Sequence, residues 1–214
     1  MYHVKEAFYT LQGEGGQAGR ASVFCRFTGC NLWSGRERDR ATAACRFCDT
    51  DFLGTDGQNG GRFTDAETLA GHLTALWPDQ DGVVTPYVVF TGGEPLLQLD
   101  ETLIRAMHRQ GFEVAVETNG TIVPPAGIDW LCVSPKGASV LAVTGGDEIK
   151  LVYPQRDAPP ERFATLDFRY YFLQPMDTGP LGEPGSRMAE TVGYCMAHPQ
   201  WRLSLQTHKI AGFD

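Results

Sequence analysis

Residues 87–95 read Tyr-Val-Val-Phe-Thr-Gly-Gly-Glu-Pro, and this stretch decides the fold. Four apolar residues run directly into a threonine, two glycines, a carboxylate and a proline. A short, continuous apolar run closed by turn residues reads as a strand buried on both faces, which belongs to a parallel sheet covered by helices. The polar tail places reactive groups at the C-terminal end of that strand.

Working outward, the same design recurs. Upstream, 22–27 reads as a strand, and Thr64-Asp-Ala-Glu67 matches a capping box ahead of Leu69, Leu73, Leu76 and Trp77 at helical spacing, with Pro78 as the stop. Downstream, Asp100 can cap a helix whose Leu103, Ile104 and Met107 form one face, and Gly111 suits its C-terminal stop. Further strands are expected at 112–116, 130–133, 148–153, 170–173 and 201–205, with a helix over 187–197 before the last. Strand after strand ends in polar residues: Glu117-Thr-Asn-Gly120, Ser134-Pro-Lys136, Gln174-Pro-Met-Asp177 and Gln206-Thr-His208. In parallel α/β barrels functional groups gather at the C-terminal strand ends. The chain has 214 residues, short of the ~250 of a complete eight-unit barrel. Clear helical periodicity also fades after residue 120. The expectation is an open, partial (βα) barrel truncated in its C-terminal helices, forming a single domain over 1–214.

Bulk properties narrow the function classes. The chain is 42% hydrophobic and 21% charged, with a net charge of −8. It has no Lys/Arg-rich block, which argues against a nucleic-acid backbone binder. No basic segment followed by an apolar run opens the sequence, and no apolar stretch approaches a membrane span, so a cytoplasmic protein is expected.

The six cysteines are not spread as a disulfide framework. Cys25, Cys132 and Cys195 sit among apolar residues and read as packing thiols. Cys30, Cys45 and Cys48 fall in one segment, Arg26-Phe-Thr-Gly-Cys-Asn-Leu-Trp33 and Cys45-Arg-Phe-Cys-Asp-Thr50. Thiolates suit soft metals and iron–sulfur clusters, and three of them on a four-iron cluster leave one iron open. A structural zinc site wants four closed ligands, and none of the five histidines lies near this segment.

Phe47 between the last two cysteines, Gly92-Gly-Glu-Pro95, Glu117-Thr-Asn-Gly120 and Ser134-Pro-Lys136 together resemble the radical S-adenosylmethionine superfamily. That superfamily usually spaces its cysteines C-x3-C-x2-C, whereas fourteen residues separate Cys30 from Cys45 here. Residues 31–44 would then be an inserted cluster loop. Within the superfamily, the chain is similar nearly end to end to the 7-carboxy-7-deazaguanine synthase family, some of whose members share the enlarged loop. The matching motifs add Phe8-Tyr-Thr-Leu-Gln-Gly-Glu-Gly15, Gln174-Pro-Met-Asp177 and the closing Leu203-Ser-Leu-Gln-Thr-His-Lys209.

The resemblance implies a lyase of queuosine and 7-deazapurine biosynthesis. It would convert 6-carboxy-5,6,7,8-tetrahydropterin to 7-carboxy-7-deazaguanine with loss of ammonia. It implies one 4Fe-4S cluster on Cys30, Cys45 and Cys48, whose free iron holds S-adenosyl-L-methionine. One-electron reduction of the bound cofactor would yield a deoxyadenosyl radical that takes a hydrogen from C6 of the pterin and later returns it. Cofactor contacts would come from Phe47, Gly93, Glu94, Asn119, Ser134, Pro135 and Lys136, and from Gln174, Pro175, Met176 and Asp177. Substrate contacts would come from Gln12, Gly13, Glu14, Arg26, Thr91, Glu117, His208 and the terminal Asp214, with Thr50 helping to hold magnesium. Gln12 and Glu14 offer complementary groups for a pterin edge, and Arg26 a planar fork for its carboxylate. A reductant such as flavodoxin, with Arg36, Arg38 and Arg40 as candidate contacts, and a homodimer complete the expectation.

Two other readings share some of these residues: an activase that places a glycyl radical on a partner protein, and a non-catalytic zinc module. Anaerobically prepared protein should be brown with four irons per chain, and Cys30→Ala should lose them by iron assay. A colourless, zinc-loaded protein would overturn the cluster reading.

Overall fold

The computed structural model describes residues 1–78, 82–177 and 187–213. Nine strands form one sheet: β1 (Tyr2–Leu11), β2 (Ala21–Phe27), β3 (Gly61–Phe63), β4 (Tyr87–Gly92), β5 (Glu113–Thr118), β6 (Trp130–Val133), β7 (Gly145–Tyr153), β8 (Asp167–Pro175) and β9 (Trp201–Leu203). Their spatial order is β3-β1-β2-β4-β5-β6-β7-β8-β9. From β2 to β9 all neighbours are parallel, while β1 and β3 add an antiparallel margin. Helices α1 (Ala66–Thr74) and α2 (Glu101–Arg109) flank β4, α3 (Arg187–Ala197) precedes β9, and α4 (Thr207–Ala211) follows it. Residues 119–129 and 134–144 join β5 to β6 and β6 to β7 without a helix.

Side-chain alternation divides each strand between two environments. Val88 and Phe90 of β4 and Val114 and Val116 of β5 lie in the main core, under Leu69 and Leu73 of α1 and Leu103, Ile104 and Met107 of α2. Full burial of each such side chain contributes about 1.5–3 kcal/mol. Ile149 and Leu151 of β7 join a second core with Leu173 and Trp201. The intervening residues, Val89, Thr91, Ala115, Glu117, Glu148 and Lys150, therefore share the opposite face.

Several expectations need correction. The antiparallel β1 and β3 were not foreseen, because Lys5 and Glu6 interrupt the apolar pattern of β1. Lys5 is nevertheless covered, and its ammonium meets Asp51 and Asp56, each at 2.9 Å. The expected capping box is absent: Asp65, not Thr64, accepts the Thr68 N–H, and Glu67 turns away to pair with Arg109. Helix α1 ends at Thr74, ahead of Pro78, while β7 and β8 begin three residues earlier than read. Cys25 is fully buried, whereas Cys195 is half-buried and Cys132 adjoins two carboxylates rather than apolar side chains alone. No helix among the described residues is long and apolar enough to cross a membrane.

Asp100 caps α2 as expected, accepting the Leu103 N–H at 2.9 Å and the Tyr2 hydroxyl from β1 at 2.9 Å. Asp100→Ala should cost about 1–2 kcal/mol from the cap, with more from the orphaned phenol. A lower urea midpoint at unchanged slope is the expected readout. An unchanged midpoint would deny the cap any part in stability.

Candidate active site

Parallel register brings the strand ends level: Arg26 lies beside Thr91, Glu117 beside Cys132, and Val152 beside Gln174. At this edge two cavities adjoin. The first, about 190 Å³, is walled by Thr91, Gly92 and Gly93 of β4 and its turn, by Glu117, Thr118 and Asn119, and by Ser134 and Lys136. Gln174, Pro175, Met176 and Asp177 close it on the β8 side, and Phe47, Cys48, Asp49 and Thr50 on the cysteine side. The second, about 210 Å³, is lined by Gln12, Gly13, Arg26 and His208, with Phe8, Leu11 and Phe24 as its apolar wall. Glu14, Asp49, Thr50, Thr91, Glu117 and Gln206 line both, so the two chambers form one cleft.

The cysteine segment is held against this cleft by close backbone approach. A Cβ on Gly93 would lie 2.6 Å from the Cys30 Cβ and clash with the Gly29 carbonyl, so only glycine fits there. The Glu94 N–H donates to that same carbonyl at 2.9 Å. Asn119 donates to the Asn31 side chain at 2.9 Å, tying the end of β5 to the residue after Cys30. Cys48 accepts from Thr50, and its hydrogen bond from Cys45 holds its thiol below the ordinary range. Burial pushes the Cys30 thiol up. The three sulfurs do not converge as ligands of one ion do: among the described residues, the triplet of such groups lying within 4.8 Å of one another is Glu117, Cys132 and Glu148. Cys45 and Cys48 touch while the three thiols together do not close on one point, a spacing that a polynuclear group, in which each sulfur meets a different metal atom, can bridge.

Other expected residues sit differently. Glu94 is fully buried and lines neither cavity; its carboxylate accepts from Thr118, Asn119 and Leu96 at 2.8–3.0 Å and braces two strand ends. Pro135 is also off the wall, its carbonyl accepting from Gln155 at 3.3 Å. Lys136 curls back onto the Ser134 carbonyl at 2.8 Å. Arg26 pairs through Nε with Glu6 at 2.8 Å, which orients its guanidinium beside the second chamber. Asp214 lies outside the described residues. Arg40 is no free surface cation: it stacks on Trp33 at 4.2 Å and donates to the carbonyls of Arg46 and Cys48 at 3.0 Å. Glu37 and Asp39 also alternate with the arginines, so 36–40 carries no uniform positive patch.

Sequence reading missed Lys150, Glu148, Gln206 and Asp49. The signal was available for the first two, because charged residues alternate with Ile149 and Leu151 in an otherwise apolar strand. Lys150 is nearly sealed, with its side chain 4% exposed, and reaches Glu14 at 2.8 Å and Glu117 at 3.0 Å. Burial pushes Glu14 up, but Lys150 and Gln206 outweigh it and bring the carboxyl down to about 2. Burial lowers His208, leaving a neutral imidazole at physiological pH.

No family model matches the chain. It is 64% identical over 211 residues to the 7-carboxy-7-deazaguanine synthase of Bordetella pertussis, covering 99% of this chain and 98% of that one. It is 62% identical to the synthase of the same name from Caulobacter vibrioides, with the same coverage. The crystal structure of QueE from Escherichia coli superposes with a TM-score of 0.69 at 27% identity, covering 95% of this chain and 93% of that one. The chain belongs to the 7-carboxy-7-deazaguanine synthase family.

Gly93→Ala should displace the Cys30 turn and lower the thermal midpoint. Gly71→Ala, in open space on α1, should raise it by about 2–4 °C through helix propensity. Equal midpoints for the two variants in a thermal melt would refute the close-approach argument.

Proposed function

We propose that the cleft converts 6-carboxy-5,6,7,8-tetrahydropterin to 7-carboxy-7-deazaguanine and ammonia by radical S-adenosylmethionine chemistry, on an open, partial (βα) barrel. The atoms balance, since the product is the substrate less one NH₃, and no net oxidant is needed. The observation that carries this reading is the two-chambered cleft. One chamber opens beside Cys48, the other beside Arg26 and Gln12, and Thr91 and Glu117 stand between them.

Cys30, Cys45 and Cys48 would hold a 4Fe-4S cluster, and the donors present fit it: three thiols on one loop and no histidine among them. The cluster and S-adenosyl-L-methionine supply, when bound, the one-electron chemistry that generates a carbon radical. The chain's own residues position and enclose. Gly93, Asn119, Ser134 and Lys136 offer a polar wall for an amino acid and a ribose, with Phe47 and Met176 as apolar neighbours. Glu94 acts from behind this wall by bracing it. Across the shared boundary, Arg26 takes the substrate carboxylate while Gln12, Glu14 and Glu117 accept from the amide and amino edge of the pterin. His208, held against Gly13, closes the side of that chamber. Thr50, lining both chambers, would hold magnesium only together with substrate oxygens, since one hydroxyl is a weak ligand. An electron donor such as flavodoxin and a homodimeric state belong to the same proposal.

Reconstituted anaerobically with S-adenosyl-L-methionine, reductant, magnesium and 6-carboxytetrahydropterin, the protein should release 7-carboxy-7-deazaguanine, identified by mass spectrometry. Arg26→Ala should lower kcat/KM for the pterin by about 10- to 150-fold, the range for losing a charge-assisted hydrogen bond. Deoxyadenosine release without substrate should persist. Deoxyadenosine without deazaguanine from the unaltered protein would retain the radical chemistry and discard the substrate.

A further inference from the structure

Beneath the two chambers lies a charged cluster that substrate contacts alone do not explain. Parallel pairing sets Glu117 of β5 beside Cys132 of β6, and Cys132 beside Glu148 of β7. Two residues along β7, on the same face, Lys150 extends its ammonium to Glu117 Oε1 and Oε2, both at 3.0 Å, and to Glu14 Oε2 at 2.8 Å. Its three N–H donors are thus spent on the two carboxylates that line both cavities. Glu14 Oε1 is held in turn by Gln174 at 3.1 Å and Gln206 at 3.0 Å. Gln12 spans the pair, donating to Glu117 at 3.3 Å and accepting the Glu14 N–H at 3.1 Å. Glu148 sits lower and accepts the Gly16 N–H at 2.7 Å, anchoring the loop that carries Glu14. A Cβ on Gly15 would overlap the Glu148 carboxylate, so that loop docks directly on it.

We propose that Lys150 is the positioning residue of the cleft: its buried ammonium holds Glu14 and Glu117 side by side and aims them, so that both present acceptor oxygens to the N–H edge of the substrate. This rests on the pterin reading above and adds a residue to it. A buried ammonium with two carboxylates at hydrogen-bond distance is costly to assemble and strongly destabilising to break. Holding a fixed pair of acceptors gives that cost a purpose. The groups facing Lys150 are Glu14 from the loop after β1, Glu117 of β5, Cys132 of β6 and Glu148 on its own strand, with His208 of α4 beyond Glu14. Without the ammonium, the burial that pushes the Glu14 carboxyl up loses its chief opponent. A protonated carboxyl loses acceptor capacity toward an N–H edge.

The test is the pH dependence of KM for 6-carboxytetrahydropterin in the reconstituted holoenzyme. Lys150→Met should raise KM by about 30-fold or more at neutral pH. That KM should then fall at least about tenfold as pH rises from about 6.5 to 8.5, while the unaltered enzyme stays nearly flat. Lys150→Arg should restore the flat profile. Should Lys150→Met fail to fold, Lys150→Met combined with Glu148→Gln leaves the formal charge of the cluster unchanged and should show the same slope. A KM and pH profile like those of the unaltered enzyme, in either variant, would overturn the assignment of Lys150. Absence of pterin turnover by the unaltered enzyme would instead overturn the substrate reading.

Discussion

Parallel pairing from β2 through β9 is the constraint on which the rest of the structure depends. In a parallel ladder the hydrogen bonds are evenly spaced and slanted, and neighbouring strands must start and end on the same sides. The residues that terminate pairing therefore arrive together at one edge, although they are scattered from 91 to 177 in the chain. Backbone groups beyond the last pair still need partners. The structure provides them with side chains: Glu94 accepts the Asn119 N–H and Gln155 accepts the Gly137 N–H. Polar residues at strand ends thus serve the sheet and the cleft at once.

This explains why much of the fold was legible in the sequence and where reading stopped. β6 and α3 have the limits read from their apolar patterns, because both faces of those elements are decided by local composition. β1 was invisible because its pattern is set by partners distant in sequence: Phe8 stacks on Phe24 at 5.9 Å, and Tyr9 meets Trp77 edge-on at 5.4 Å. Motif residues were equally uneven. Identity alone could suggest that Glu94 belongs to the site, but only the packing reveals that its oxygens are consumed within the wall. Lys150 carried the opposite lesson, since it belongs to no short motif and is exposed only as an interruption in strand alternation.

The buried charges divide the cleft electrically. Both lysines, Lys136 folded onto Ser134 and Lys150 outnumbered by Glu14, Glu117 and Glu148, line the first chamber, whereas Arg26 is the cation of the second. The second chamber has Glu14 and Glu117 as acceptors, with Arg26 as their cationic counterpart near the end of β2. A ligand with N–H groups at one end and an anion at the other matches that polarity, whereas a uniformly anionic ligand would be repelled from the floor. The apolar wall of Phe8, Leu11 and Phe24 then suits a flat ring between the two ends.

The long excursion between Cys30 and Cys45 asks whether a loop can grow without losing its register. Extending a three-residue spacer to fourteen costs about 1.4 kcal/mol by the logarithmic loop-closure law. The loop offsets this locally. Trp33 is buried edge-on against Phe52 at 5.5 Å, and Arg40 covers its other side while donating to two backbone carbonyls near Cys48. One cation–π contact and one or two hydrogen bonds to a charged donor are of the same order as the closure cost. The insert is thus a self-packed unit whose far end is pinned beside Cys48, so its length can vary while the return of Cys45 to the same place is preserved.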